Sequence, residues 1–565
     1  MRRSLKISAW LILFPIALIL ALLLGAAVYG GILYLKADML QPDIEIDMDA
    51  YSLSVNSDSL RVCGGSSLLL NDYGLWETIL RGTAVDRGAS YGRMAEDLLY
   101  YQENVFVEQI RRIVPSDSYL RFLRAFLEIF NRDMAKYVPL EHREEIYALS
   151  NMCTHEFDIF GSPYERQMHY HAAHDIGHMM QEYMLVGCSS FAVWGEKTDD
   201  GKMLIGRNFD FWVGDDFARN RQVLFAFPDN GYRYASVSWP GMTGVVSGMN
   251  EKGLTVTMNA SKGSIPLSSA MPVALLAKHM LMYASNIDEA YRIASENSLF
   301  VSESLLIGSA EDGKAVIIEK TPHKMGMYVP EGDIVLCTNH FQSSAFADDR
   351  TNIENMEVSD SRYRYERLED LVTEKLPLDQ EDAAAILRDR RGKGGKDVGL
   401  ANEMTLNQSI AHHSVIFRPE ELKMWVSTSP WQSGAYLCYD LKSIFALQGA
   451  ADGSLCTDEM TIEADSLYIK DIYPRVLAFR AGSARIREAA ASGTVLESGE
   501  IERFVAGNPE FYDTYSIVGD YYAAHGEPSK AVPYWKKALE KEIPRKGYKD
   551  GLLKRIKDVI DYDTE

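Results

Sequence analysis

The texture of the sequence changes abruptly at Gly187, and this change limits the available folds more than any other feature. From about Trp76 to Val186 apolar residues recur at helical spacing: Leu98, Val105 and Ile110, then Leu120, Leu123 and Leu127. After Gly187, short runs rich in β-branched and aromatic residues alternate with Asp199-Asp200-Gly201, Asp229-Asn230-Gly231, Glu251-Lys252-Gly253 and Glu311-Asp312-Gly313. Such triplets supply the positive φ of a tight turn, so 188–260 is expected to form successive antiparallel hairpins. Helices are expected at 272–284 and 287–296, strands over 303–337, helices over 361–390, and a last hairpin from 414–426 with 435–439. This order lacks βαβ alternation and points to an α+β layered fold, not a doubly wound sheet.

A chain of 565 residues is long enough for roughly two to four domains. With 58 Lys+Arg against 80 Asp+Glu and a net charge of −22, a broad nucleic-acid-binding face is excluded as a partner surface. One stretch departs from the average. Arg2, Arg3 and Lys6 precede an uncharged window from Ile7 to Leu35, longer than the roughly 20 residues that span a bilayer. It predicts a single N-terminal transmembrane helix, with the body outside the cytoplasm, periplasmic or extracellular. A long signal peptide cut near Ala26–Ala27 is the alternative.

The expected organisation is a membrane anchor over 1–36, a segment over 37–187 that begins as an extended linker and continues helical, a strand-rich body over 188–456, and a helical tail over 457–565. In the tail, Gly519 with Val518, Tyr522, Ala531, Trp535 and Ala538 fits one tetratricopeptide-like helix–turn–helix repeat. Residues 511–545 are then either a protein-partner module or a hairpin that completes the core. Six cysteines (Cys63, Cys153, Cys188, Cys337, Cys438 and Cys456) permit disulfides outside the cytoplasm without specifying a pairing, and no C-x-x-C motif is present.

The segment that carries chemistry is Gly187-Cys188-Ser189-Ser190-Phe191, followed by Gly206-Arg207-Asn208-Phe209-Asp210. The turn at Asp200-Gly201 folds the second stretch back beside the first, bringing Cys188 near Arg207 and Asp210. A thiol beside an arginine has its thiolate favoured, and a neighbouring carboxylate orients an amine. On spacing alone these residues define a candidate activated cysteine, and a buried structural cysteine is the other reading.

Here the sequence resembles the N-terminal-nucleophile hydrolases of the acyl-coenzyme A:6-aminopenicillanate (isopenicillin N) acyltransferase family, themselves distantly similar to choloylglycine hydrolases and acid ceramidase. Leu80-Arg81-Gly82-Thr83, Arg87-Gly88 and Tyr91-Gly92 resemble the opening of the family's small subunit. Gly248-Met249-Asn250-Glu251-Lys252-Gly253-Leu254, leading to Asn259, resembles the hairpin ending in an oxyanion-hole Asn. Leu336-Cys337-Thr338-Asn339-His340 resembles the segment carrying a second active-site Asn, and Asp360-Ser361-Arg362-Tyr363 the helix start carrying a further arginine. The resemblance covers about 76–445 and implies a four-layer α-β-β-α fold. It further implies self-cleavage between Gly187 and Cys188, with fragments that stay associated. Amide hydrolysis or acyl transfer then proceeds through a Cys188 thioester. The implied site is Cys188, Arg207, Asp210, Asn259, Asn339 and Arg362, without cofactor or metal. The substrate would be a small acylated amine, lipid or peptide.

Two rival readings come from other classes. Of His169, His171, His174 and His178 with Glu182, a helix would place His171, His174, His178 and Glu182 on one face at spacings of three and four, a pattern zinc accepts, although His-Glu-x-x-His is absent. The other rival is a non-catalytic adaptor that works through the tail.

Overall fold

The computed structural model describes residues 24–25, 28–114, 116–172, 175, 187–211, 213–263, 269–410, 412–497 and 499–562. An 11-stranded sheet runs in the spatial order β1 (Leu53–Asn56), β2 (Leu60–Cys63), β3 (Ser66–Leu70), β4 (Trp76–Gly82), β7 (Gln222–Pro228), β8 (Tyr234–Ser238), β9 (Ser247–Asn250), β10 (Leu254–Ala260), β11 (Glu303–Ser309), β12 (Lys314–Lys320) and β13 (Met325–Tyr328). A 7-stranded sheet follows the order β14 (Ile334–Cys337), β5 (Ser189–Val193), β6 (Leu204–Asp210), β15 (His412–Arg418), β16 (Lys423–Ser427), β17 (Tyr436–Asp440) and β18 (Thr457–Ile462). The turn triplets close antiparallel hairpins β5–β6, β7–β8, β9–β10 and β11–β12. Their glycines carry the positive φ expected there: +80° at Gly201, +102° at Gly231, +73° at Gly253 and +62° at Gly313.

Strict alternation along the strands builds three cores. Val223 and Phe225 on β7, Val415 and Phe417 on β15, and Met424 and Val426 on β16 meet between the two sheets. Leu224 and Ala226 face the opposite way, against the helices Ala84–Ile113, Leu140–Ser150 and Val273–Tyr283. On the far face of the second sheet, Ile416, Trp425 and Tyr436 pack on Leu368, Leu371 and Ile386 of the helices Ser361–Lys375 and Gln380–Leu387. The layers are therefore helix, sheet, sheet, helix. Apolar residues on both strand faces explain the near-continuous hydrophobic runs of the sequence.

Residues ahead of Cys188 are part of this frame. The stretch expected to be an extended linker holds β1, β2 and β3, and the start of the expected helical region is strand β4. β4 lies parallel to β7, from Trp76 opposite Gln222 to Gly82 opposite Pro228. Thr83 then caps the long helix in a reciprocal box with Asp86. Gly88, from the opening motif, lets the Leu140–Ser150 helix approach; a Cβ there would stand 2.1 Å from the Glu145 carbonyl oxygen.

The expected transmembrane anchor is corrected. Among the described residues no helix is long and apolar enough to cross a membrane. Within the uncharged window, the described residues 24–25 and 28–35 are helical. The rest of the window, 7–23 and 26–27, lies outside the described residues. The assignment of the body to the outside of the cytoplasm rested on that anchor and falls with it. All six cysteines are free thiols, so no disulfide supports an oxidising compartment either.

In the tail, the helices Tyr512–Ala524 and Pro528–Leu539 form a hairpin in which Gly519 seats Trp535, a Cβ there meeting its ring at 2.4 Å. Tyr512, Ile517 and Tyr521 of the hairpin share a core with Phe479 of the Tyr473–Ser492 helix, on which Phe504 of the Glu500–Gly507 helix and Phe511 also pack. Just ahead of the hairpin the tail reaches the body, where Asn508 exchanges two hydrogen bonds with the Leu400 backbone (2.8 and 3.1 Å).

Candidate active site

Pairing of β5 with β6 sets Ser190 opposite Arg207 and leaves Cys188 one step beyond, on the same strand face. Both side chains are buried between the sheets. Arg207 Nη2 donates to Cys188 Sγ at 3.7 Å and to the Met258 carbonyl, and Nη1 donates to the Val246 carbonyl (3.0 Å) and Ser247 Oγ. The Cys188 backbone N–H donates to Asn339 Oδ1 at 3.1 Å. Burial pushes the thiol above its ordinary range while the Arg207 guanidinium pulls against it. In the uncut chain the residue is therefore a protonated, positioned thiol.

Asp210 flanks the Gly187–Cys188 bond. Its carbonyl accepts the Gly187 N–H at 3.1 Å, and its Oδ1 accepts from Gln432 Nε2 at 2.6 Å. Oδ2 is buried without a hydrogen-bond partner among the described residues. Burial drives this carboxyl well above the usual carboxylate range, against the pull of Arg364 and Arg207. A group with a raised folded pKa contributes stability below its unfolded pKa, about 3.9, and loses that contribution as pH rises through the folded value. In a Cys188→Ala background, Asp210→Asn is thus expected to raise thermal stability increasingly from about pH 4 upward, by at most about 1.4 kcal/mol per pH unit. Unfolding temperatures of the pair across pH 4–8 test this, and a pH-independent difference would reject the neutral carboxyl.

Asn259 and Asn339 take different positions. Asn259, on β10 of the first sheet, accepts from Ser190 Oγ (3.1 Å) and donates to the Cys337 and Thr338 carbonyls, both at 3.2 Å. Both its amide hydrogens are committed across the sheets, so it acts here as a pin. Asn339 donates to the Ala260 carbonyl at 2.8 Å and retains one amide hydrogen beside Cys188.

Arg362 requires a correction. Its side chain is 61% exposed and pairs with Glu366 one turn on, at 3.1 Å. Two residues further along, and so on nearly the opposite helix face, Arg364 is buried. It donates to Asp360 Oδ2 (2.6 Å), the Cys188 carbonyl (2.7 Å), Ser189 Oγ (2.9 Å) and Asn339 Oδ1 (2.6 Å). The buried stripe Arg364, Arg367, Leu368, Leu371 and Val372 was the available signal. Ser361 supports the same point by accepting the Asn339 N–H at 2.8 Å.

Sequence reasoning also missed the layer behind Arg207. Ser247 Oγ, which accepts from Arg207, lies 2.9 Å from His413 Nε2, and His413 Nδ1 lies 3.0 Å from His412 Nδ1. Burial holds both imidazoles well below the usual range, so both are neutral. Arginine only donates, which leaves the Ser247 hydrogen for His413 Nε2; the network then assigns the proton to His413 Nδ1, donating to His412. Phe209 lies under the Arg207 guanidinium at 4.4 Å and stacks on Phe211, which lines a small cavity with Phe106, Phe217 and Trp239 and with the polar Glu103 and His171.

In the rival histidine cluster, His174, His178 and Glu182 lie outside the described residues. His169 and His171 are buried on the Pro163–His171 helix. His171 uses both nitrogens, Nδ1 with the Gln167 carbonyl at 2.7 Å and Nε2 with the Thr243 N–H at 3.1 Å.

Residues 196–429 match the family described as acyl-coenzyme A:6-aminopenicillanic acid acyl-transferase. Over that segment the chain carries the family's pattern, as its motifs implied; the match begins after Cys188. An uncharacterized protein of Archaeoglobus fulgidus is 23% identical over 396 residues, 62% of this chain and 64% of its own length. The chain thus spans less than two thirds of that curated relative. Among solved structures, a Caenorhabditis elegans N-acylethanolamine-hydrolyzing acid amidase ortholog is 16% identical, covering 41% of this chain and 93% of its own, with a TM-score of 0.30. A conjugated bile acid hydrolase from Clostridium perfringens is 13% identical over 45% of this chain and 93% of its own, with a TM-score of 0.32.

Proposed function

We propose that the chain is an N-terminal-nucleophile enzyme that cuts itself between Gly187 and Cys188 and then cleaves or transfers an N-acyl group through a Cys188 thioester. The observation that carries this is the double hold on one residue: Arg207 on the Cys188 sulfur and Asn339 on its backbone nitrogen. A structural cysteine needs neither. In the first step Sγ adds to the Gly187 carbonyl carbon, the peptide C–N bond breaks, and the thiol proton leaves on the nitrogen. Water then hydrolyses the thioester, leaving a Gly187 carboxylate and a free α-amine on Cys188.

That amine, with an intrinsic pKa of about 7.7–8.0, becomes the base that the uncut chain lacks. Asn339 Oδ1 would keep it beside its own thiol. The remaining Asn339 amide hydrogen is suited to the oxyanion, a contact worth about 3 kcal/mol. Arg364, on the Cys188 carbonyl, would fix the new N-terminal residue. Water or an amine completes the turnover. Strands β1–β4 would keep the two fragments together through the β4–β7 pairing.

Denaturing electrophoresis and N-terminal sequencing of the purified chain test the reading. Two fragments are expected, the larger beginning at Cys188. An intact chain that also ignores thiol-directed acyl probes would overturn it.

A further inference from the structure

A second cluster of chemical groups lies away from Cys188, where two helices from opposite sides of that residue meet. His142, in the first turn of the Leu140–Ser150 helix, is completely buried. Neither of its ring nitrogens has a hydrogen-bond partner among the described residues, a deficit of about 1–3 kcal/mol for each unmet group. Facing it from the Val273–Tyr283 helix is His279, whose buried Nδ1 also lacks a hydrogen bond and lies 3.9 Å from Glu141 Oε1. The two imidazoles meet edge to face with centroids 5.5 Å apart. Tyr283, one turn beyond His279, donates its hydroxyl to Glu141 Oε2 at 2.8 Å. That bond fixes the carboxylate and leaves Oε1 for His279. One ligating atom from each of Glu141, His142 and His279 lies within 4.8 Å of the others.

We propose that Glu141, His142 and His279 form a binding site for a zinc-type divalent ion, joining the segment before Cys188 to the segment after it. Two imidazoles and one carboxylate are a donor set that zinc takes. Tyr283 is the outer partner that orients the carboxylate ligand. Bonds of about 2.0–2.2 Å draw the three atoms closer together than 4.8 Å. His279 is the side chain that moves toward the held carboxylate, and the partial exposure of His279 and Glu141, 22% and 27%, gives the ion a path to His142. The nearest cations, Arg87 and Lys278, are both held by Glu145, at 2.6 and 3.0 Å. The site shares no residue with the His169–His178 cluster.

The purified full-length chain, stripped with a chelator and desalted, is titrated with zinc chloride by calorimetry and analysed for bound metal. One zinc per chain and a raised unfolding temperature are expected. Glu141→Gln and His279→Ala, both at partly exposed positions, are each expected to weaken binding by at least about tenfold, and the double variant to bind no stoichiometric zinc. Absence of stoichiometric zinc in the parent chain would overturn the proposal. So would a double variant that retains the parent affinity, since the ion would then sit elsewhere.

Discussion

Cys188→Ala is expected to leave a single uncut chain of 565 residues and to bring amide-cleaving activity down to background. The loss should be on the order of 10⁶-fold, the scale seen when the nucleophile of an acyl-transfer enzyme is removed. Folding is not expected to fail with it. The side chain lost is small, and Arg207 keeps its bonds to Val246, Ser247 and Met258, so the destabilisation should stay near 1 kcal/mol. Cys188→Ser keeps a hydroxyl in the same position but not the acidity or nucleophilicity of a thiol, and should cut slowly at most. Electrophoresis of the three proteins beside their unfolding temperatures separates chemistry from folding. An alanine variant that is still processed at Gly187 would place the cut in the hands of another protease.

The Cys188–Arg207 pair was legible in the sequence because it depends on one hairpin. The turn at Asp200-Gly201 determines the register, and register determines the strand face. The roles of the two asparagines were not legible. Asn259 reaches carbonyls on the other sheet and Asn339 reaches Cys188 across a long connection, so neither bond follows from local pattern. β1–β4 were obscured by a different cause. Reading Ile7–Leu35 as an anchor turned the next residues into a tether, although Ser66–Leu70 ends in three consecutive leucines and is followed by turn residues at Asn71–Gly74; Trp76–Gly82, with Glu77, Thr78 and Arg81 among its apolar residues, reads as part of the helical pattern instead.

The arginine prediction depends most on three-dimensional information, and it divides two residues only two positions apart. Arg364→Ala removes a buried guanidinium from Asp360, the Cys188 carbonyl, Ser189 and Asn339 together. Asp360 is itself nearly buried, its side chain 8% exposed, and would be left as an uncompensated carboxylate. Losses of this kind run to about 3–5 kcal/mol. Arg364→Lys retains the charge for Asp360 but not a planar fork that serves four acceptors, so it should fold better than alanine and still process slowly. Arg362→Ala removes only an exposed pair with Glu366, worth at most about 0.5–1 kcal/mol, and should cleave at the parent rate. Unfolding temperature and extent of processing, measured together for the three variants, test the assignment. Equal defects at 362 and 364 would mean that helix phase does not decide which arginine serves the site. A lysine variant that matches the parent would mean that charge alone, without the fork, holds Cys188 in place.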